Sequence, residues 1–101
     1  MHVLCFFDLP TETAKDRRQY RIFRRLLIKN GFIMLEESVY ERMVINGHAQ
    51  RTLVELLRKN KPPKGLVMVL QVTDKQFENM DIITGEFQSN VINSTDRVIE
   101  L

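Results

Sequence analysis

The residues best suited to chemistry are one carboxylate and a group of arginines that follows it. Asp8 comes directly after an apolar run, Val3 to Phe7, and precedes Leu9-Pro10-Thr11. A loop aspartate most often hydrogen-bonds its own turn, and one carboxylate cannot hold Mg²⁺ without further oxygen ligands. A two-fold dimer would supply a second Asp8, and a metal ion between the two could activate water against a phosphodiester. Both interpretations of Asp8 stay open.

Most basic residues of the first predicted helix fall on one side of it. At about 100° per residue, five arginines and one lysine share an arc opposite the apolar side chains. The cationic arc holds Arg17, Arg18, Arg21, Arg24, Arg25 and Lys29, and the apolar arc holds Tyr20, Ile22, Phe23, Leu26 and Leu27. Such a face is often merely solvated, but solvated faces usually mix charge signs. Because arginine suits bidentate phosphate contacts, the pattern favours salt-dependent binding to a nucleic-acid backbone.

The apolar pattern predicts the scaffold that positions these residues. Buried runs predict strands, and caps and glycines predict helix ends. The expected elements are a strand Val3–Phe7, a helix from Thr13 to about Asn30, strands Phe32–Glu37 and Val39–Ile45, a helix from Asn46 to near Asn60 and a strand Leu66–Val72. This β-α-β-β-α-β order is typical of the α+β ferredoxin-like fold, with both helices on one face of an antiparallel sheet. We expect the first and last strands to be buried on both faces.

A C-terminal extension is predicted to follow this core within a single domain. Residues 1–79 form the ferredoxin-like core and residues 80–101 the extension, in which Met80–Phe87 and Arg97–Leu101 resemble short strands. These strands are expected to cover an edge of this sheet or of a partner's sheet. The acidic residues of the tail either solvate it or dock a basic partner protein; they are Asp74, Glu78, Asp81, Glu86, Asp96 and Glu100.

The composition of the chain limits which classes of protein it can belong to. The 101 residues carry a net charge of +2. Residues 1–64 hold 13 Lys/Arg against 7 Asp/Glu, a net +6, and residues 65–101 hold 2 against 6, a net −4. Cys5 is the sole cysteine, so the chain has no intramolecular disulfide, and we expect it in the core. His2 and His48 are expected at the surface or at strand ends. No apolar run is long enough for a membrane span, so a cytoplasmic location is expected.

Several short motifs carry a family resemblance over essentially the whole chain. They are Phe6-Phe7-Asp8-Leu9-Pro10-Thr11, the arginine-rich helix ending in Gly31-Phe32, Ser38-Val39-Tyr40 and Gly65-Leu66-Val67. In this order and length they resemble CRISPR-associated protein two, the small subunit of the complex that acquires new spacers. The resemblance implies a homodimer of ferredoxin-like subunits whose C-terminal strands complete the partner's sheet. It also implies that the dimer is clamped between two dimers of the CRISPR integrase and spans the protospacer duplex.

The resemblance assigns roles to two residues. Asp8 corresponds to the Mg²⁺ ligand of the family, and Ser38 to the serine at its strand junction. Many members have tyrosine before this aspartate, whereas this chain has Phe7, so a role for a phenol there is lost. Metal-dependent cleavage of RNA or DNA is attributed to some members, while the integration role does not need it.

Two hypotheses therefore follow. The first is a homodimeric scaffold that binds double-stranded protospacer DNA, or RNA, and the integrase subunit. The second is a Mg²⁺-dependent endoribonuclease or endonuclease that uses Asp8 from both subunits, or a related RNA-cleaving interferase toxin. RNA-recognition modules and acylphosphatase-like enzymes share the topology. The chain, however, lacks the Lys/Arg-Gly-Phe run of the former, and Leu9-Pro10-Thr11 stands where the latter need an arginine-bearing phosphate loop.

Overall fold

Four antiparallel strands form a sheet in the order β2-β3-β1-β4. The computed structural model describes residues 1–87. Its elements are β1 (His2–Asp8), α1 (Ala14–Lys29), β2 (Ile33–Glu36), β3 (Val39–Met43), α2 (Gly47–Lys59), β4 (Leu66–Val72) and α3 (Asp74–Glu78). The predicted ferredoxin-like α+β fold is confirmed, with β1 and β3 central and β2 and β4 at the edges.

The ends of α1 follow from local side-chain chemistry. The Thr13 hydroxyl accepts a hydrogen bond from the Asp16 backbone N–H at 3.0 Å, and the Asp16 carboxylate accepts one from the Thr13 N–H at 3.3 Å. This is the predicted capping box, which satisfies two backbone donors that a helix start leaves free. At the other end Gly31 has a φ of +87°, which permits the turn into β2.

The core lies between one face of the sheet and the two long helices. Val3, Cys5 and Phe7 of β1 point to this face. They meet buried side chains of α1 and α2, namely Phe23, Leu27, Leu53 and Leu57. Ile22 was expected in the apolar arc but is 45% exposed, because its position on the helix borders that of Lys29 and turns away from the sheet. Burial raises the pKa of the Cys5 thiol to about 12.

The other face of the sheet is covered unevenly. Leu4 pairs with Leu70 and Phe6 with Met68, so all four side chains share the face away from α1 and α2. Burial on both faces is confirmed for most of β1, but it is wrong for β4. Leu66, Met68 and Leu70 are 54%, 51% and 52% exposed. The reason is that residues 80–87 lie over β1, β2 and the start of β3 instead.

The segment after β4 departs from the prediction. Met80–Phe87 was expected to be a strand, but it pairs with none of β1 to β4. Its side chains line a pocket of about 310 Å³ with Leu4, Phe6 and Leu35 instead. The short helix α3 was not predicted, although Thr73 and Gln76 form a capping box at its start. Arg97–Leu101 lies outside the described residues, and the boundary at residue 80 stays a prediction.

A cluster of polar side chains lies at the end of the sheet where β1 begins. His2 and Glu41 are buried, with Nδ1 of His2 2.5 Å from the Glu41 carboxylate. Nε2 of His2 lies 3.3 Å from Asp74, and the ring stacks on Phe77 at 4.2 Å. The N-terminal ammonium donates to Asp74 at 2.7 Å, and this bond lowers the pKa of the Asp74 carboxyl. His2 lies at a strand end, one of the two expected positions, and it is buried there because α3 covers it.

Removal of the Glu41 carboxylate should weaken the fold. The substitution Glu41→Ala leaves Nδ1 of the buried His2 imidazole without its partner, and we expect a loss of about 1–3 kcal/mol in the free energy of unfolding. Urea denaturation followed by circular dichroism measures it. Glu55→Ala is the matched control, because Glu55 makes an exposed ion pair with Arg58 at 3.5 Å, and such pairs contribute about 0–1 kcal/mol. Equal losses in the two variants would contradict the structural role of Glu41.

A side chain at Gly65 should be harmful for a different reason. A Cβ atom there would lie 2.6 Å from the Asp8 carbonyl oxygen and 2.7 Å from Leu9, at a φ of +93°. Gly85 has the same φ of +93° with nothing within 4 Å of its Cβ position, so Gly85→Ala shares the backbone strain without the clash. We expect Gly65→Ala to lose about 1–3 kcal/mol more in unfolding free energy than Gly85→Ala. Equal values in urea titrations would show that the loop after β1 relaxes freely.

Candidate nucleic-acid interface

Six of the seven cations of α1 form one exposed face, called here the cationic face. Arg17, Arg18, Arg21, Arg24, Arg25 and Lys29 are all exposed. Within residues 1–87 the ion pairs shorter than 4.0 Å involve other residues, so none of these six faces a carboxylate at that distance. The positive charge of the cationic face is therefore not neutralised by the described part of the chain.

The rotation of α1 about its axis is set by aromatic packing. Phe7 of β1 contacts Phe23 edge to face at 5.4 Å between ring centroids and Tyr20 at 5.9 Å. Leu27 is fully buried on the same side. Because this arc of the helix must face the sheet, the arginines are held on the outside.

Arg17 links the cationic face to the loop that follows Asp8. Its guanidinium donates to the backbone carbonyls of Thr11 and Glu12, both at 3.1 Å. These contacts use part of its donor capacity to hold the chain between β1 and α1. Arg17 therefore has a structural role that the helix pattern alone did not indicate.

Arg24 is held in a different way, by a residue of β3. Its Nε donates to the Tyr40 hydroxyl at 2.9 Å, and Tyr40 is fully buried. Beside them the Tyr20 hydroxyl donates to the Glu37 carbonyl at 3.2 Å. Partial burial, together with the neighbouring Tyr40 and Glu37, raises the pKa of Tyr20. An open pocket of about 330 Å³ lies between these side chains.

The four remaining cations are not held by side-chain hydrogen bonds in the described part of the chain. They are Arg18, Arg21, Arg25 and Lys29. They project from α1 into solvent, where they can adjust to the phosphates of a ligand.

Asp8 and Ser38 lie at one end of the sheet. Asp8 is exposed and pairs with Leu66 of β4 in the register. The Phe7 N–H donates to the Ser38 carbonyl at 3.0 Å, which places Ser38 across from the residue before Asp8. The Ser38 hydroxyl donates to the Glu36 carboxylate at 2.9 Å. The structure thus brings both predicted residues to one end, with the serine hydroxyl engaged by its neighbour.

One chain does not by itself form a metal site here. Among residues 1–87 no group of three or more His, Cys, Asp and Glu side chains is arranged to hold a metal ion. Asp8 contributes one carboxylate, which does not fit Mg²⁺ without further oxygen ligands. The role of Asp8 and Ser38 in catalysis, and that of Asp8 in metal binding, stay predictions.

Sequence reasoning missed the role of Tyr40. Strand alternation in β3 places Tyr40 and Arg42 on the helix-covered face, since their neighbours Val39 and Glu41 point the other way. A buried tyrosine usually directs its hydroxyl to a polar partner. The signal was therefore present, but the identity of the partner depended on the packing of α1 over β3.

Within residues 1–87 no helix is long and apolar enough to cross a membrane.

Comparisons with known proteins agree with this architecture. The family model described as CRISPR associated protein Cas2 matches residues 1–80. A CRISPR-associated endoribonuclease Cas2 of Treponema denticola is 46% identical over 101 residues, which is 100% of both chains. One of Streptococcus mutans is 40% identical and covers 100% of this chain and 93% of the relative.

A solved structure supports the same fold. A crystal structure of Streptococcus pyogenes Cas2 at pH 6.5 superposes with a TM-score of 0.64 at 19% identity. The match covers 83% of this chain and 100% of the other. The resemblance noted in the sequence is thus confirmed by the family match over the described core and by relatives that are similar over the full length: the chain belongs to the CRISPR associated protein Cas2 family.

Proposed function

We propose that this protein is a homodimeric scaffold of CRISPR spacer acquisition that binds protospacer duplex DNA along α1 and bridges integrase dimers. The observation that carries the proposal is the cationic face, which is exposed and not neutralised within residues 1–87. Like charges held this close repel one another, and a polyanion relieves that repulsion. Backbone phosphates are the polyanion that arginine forks fit.

The dimensions of α1 support duplex binding. Its 16 residues correspond to about 24 Å of helix. This length matches about seven base pairs of duplex, at roughly 3.4 Å per pair. The face carries no predicted base-reading element, so contacts to phosphates would fix position without selecting sequence. Such binding suits a scaffold that must accept many different protospacers.

An exposed apolar strip supports the homodimer. Leu66, Met68 and Leu70 line one face of β4, each more than half exposed, and the outer edge of β4 has no partner strand within residues 1–87. Natural proteins usually cover or pair such an edge. A second copy of the chain would do so. The completion of the partner's sheet by residues 80–101 and the contact with the integrase rest on family membership.

Endonuclease activity is the second candidate. The relatives from Treponema denticola and Streptococcus mutans bear the name endoribonuclease. Asp8 is exposed at the end of β1, where a copy from a second subunit could approach it. Because residues 1–87 of one chain hold no group of three or more metal-ligating side chains, this activity would depend on the dimer.

Charge reversal on α1 tests the scaffold. We expect the triple substitution Arg18→Glu, Arg21→Glu and Arg25→Glu to lower affinity for a short DNA duplex at least a hundredfold, because about three phosphate contacts are lost and three repulsions added. Fluorescence anisotropy with a labelled duplex measures it. Arg17 and Arg24 are left unchanged, since both also hold parts of the fold.

The matched control places the same charge change on α2. Arg51, Arg58 and Lys59 are exposed there, and Arg51→Glu, Arg58→Glu and Lys59→Glu should weaken binding much less. Sedimentation of both variants checks that the dimer persists. Similar losses in the two triple variants would show that total charge, and not the cationic face, governs binding.

The role of Asp8 is tested separately. We expect Asp8→Asn to bind duplex DNA as tightly as the unchanged protein, because the carboxylate is not part of the cationic face. We expect it to lose the Mg²⁺-dependent cleavage of RNA that the second candidate requires. Asp81→Asn, at another exposed aspartate, should retain that cleavage. Cleavage that persists in Asp8→Asn would exclude Asp8 as the residue responsible.

A further inference from the structure

We propose that Arg24 and Arg21 form a subsite for one phosphate group of bound nucleic acid, in which the buried Tyr40 is the positioning residue that orients Arg24. This inference rests on the proposed duplex binding and deepens it, because it separates one cation of α1 from the others. The subsite is the pocket of about 330 Å³ between α1 and the β2–β3 hairpin.

The hydrogen-bonding capacity of Arg24 is the first argument. Its Nε–H is engaged by the Tyr40 oxygen at 2.9 Å, which fixes the plane of the guanidinium. The N–H groups on its two terminal nitrogens form no side-chain hydrogen bond or ion pair within residues 1–87. A guanidinium held by Nε presents its terminal nitrogens as a fork, the arrangement that binds a phosphate through two parallel hydrogen bonds.

The Tyr40 hydroxyl supplies the second argument. The ring is fully buried in the core, where it packs 5.5 Å from Phe7 between centroids. The phenol oxygen accepts from Arg24 Nε at 2.9 Å. Because Tyr40 is fully buried, a ligand does not reach its hydroxyl, and Tyr40 acts on the ligand only through Arg24. A hydroxyl fixed by a packed core holds the guanidinium in one orientation.

The neighbours in the pocket favour an anion. Arg21 lies one turn before Arg24 on α1 and lines the same pocket. Glu37 also lines it, but it forms no ion pair within 4.0 Å with either arginine, so neither guanidinium is neutralised. Tyr20 directs its hydroxyl away to the Glu37 carbonyl. Two cations thus converge on a space open to solvent.

Arg24 and Arg25 differ in how much side-chain freedom each would lose on binding a phosphate. Arg25 is exposed and is not held by a side-chain hydrogen bond in the described part of the chain, so a phosphate must order it on binding. Arg24 is already ordered by Tyr40. Since ordering a long side chain reduces affinity, Arg24 should contribute more to binding than its charge alone provides.

Tyr40→Phe tests the orienting role and keeps the buried ring. We expect it to weaken duplex binding about two- to tenfold in anisotropy titrations. Tyr20→Phe is the matched control, because that hydroxyl bonds to a backbone carbonyl and to no arginine, and its affinity should stay within about twofold of the unchanged protein. In a chain that already carries Arg24→Gln, Tyr40→Phe should have no further effect. Arg24→Gln should also lower the slope of log K against log salt by about 0.9, the value for one phosphate.

A surface variant provides a readout that does not depend on the core. Arg24→Lys keeps the charge but removes the fork, and we expect it to lose about two- to tenfold in affinity, whereas Arg25→Lys loses less than about twofold. Thermal unfolding confirms that each variant is folded. Arg24→Lys that binds as tightly as Arg25→Lys would overturn the subsite while the proposed function stands. Absence of duplex binding by the unchanged chain would overturn both.

Discussion

The packing of one arc of α1 against the sheet is the constraint on which the other features of this protein depend. The apolar side chains Phe23 and Leu27 are buried against the face of β1 that carries Phe7. A helix has one rotational setting that buries this arc. That setting necessarily turns the arginines outward, so the same hydrophobic contact that stabilises the fold also displays the cationic face.

The constraint extends into the sheet through Tyr40. Its ring belongs to the core beneath α1, while its hydroxyl reaches the edge of the helix and bonds to Arg24. A core residue therefore controls the orientation of a surface cation. Arg17 is linked differently, to the carbonyls of the loop after β1, so the loop that follows Asp8 and the start of α1 are held together. The cationic face thus combines cations tied to the fold with cations free to adapt.

The two faces of the sheet differ in how completely they are covered. The face under α1 and α2 is filled by aliphatic and aromatic side chains, and the opposite face is covered in part by the chain that follows β4. There α3 closes over His2 and Glu41 near the start of β1. Beyond it the side chains of Leu66, Met68 and Leu70 remain exposed on the edge strand. One face of the sheet is covered by helices, and the other leaves apolar side chains of the edge strand β4 exposed. Such a strand could associate with a second copy of the chain, as the proposed scaffold requires.

Local signals in the sequence determined most of the fold and the composition of the candidate interface. The apolar runs, the capping residues Thr13 and Asn46 and the turn at Gly31 define elements within a few residues of where they lie, because these effects act between close neighbours in the chain. The arginine arc could be identified in the same way, from helical periodicity. Only the tertiary structure decided which side chains meet across elements: Arg24 with Tyr40, His2 with Glu41, and the exposed strip on β4 with no covering strand among the described residues. A strand pattern shows that a residue is apolar, but whether it is buried depends on what packs over it, and that is a property of the whole fold.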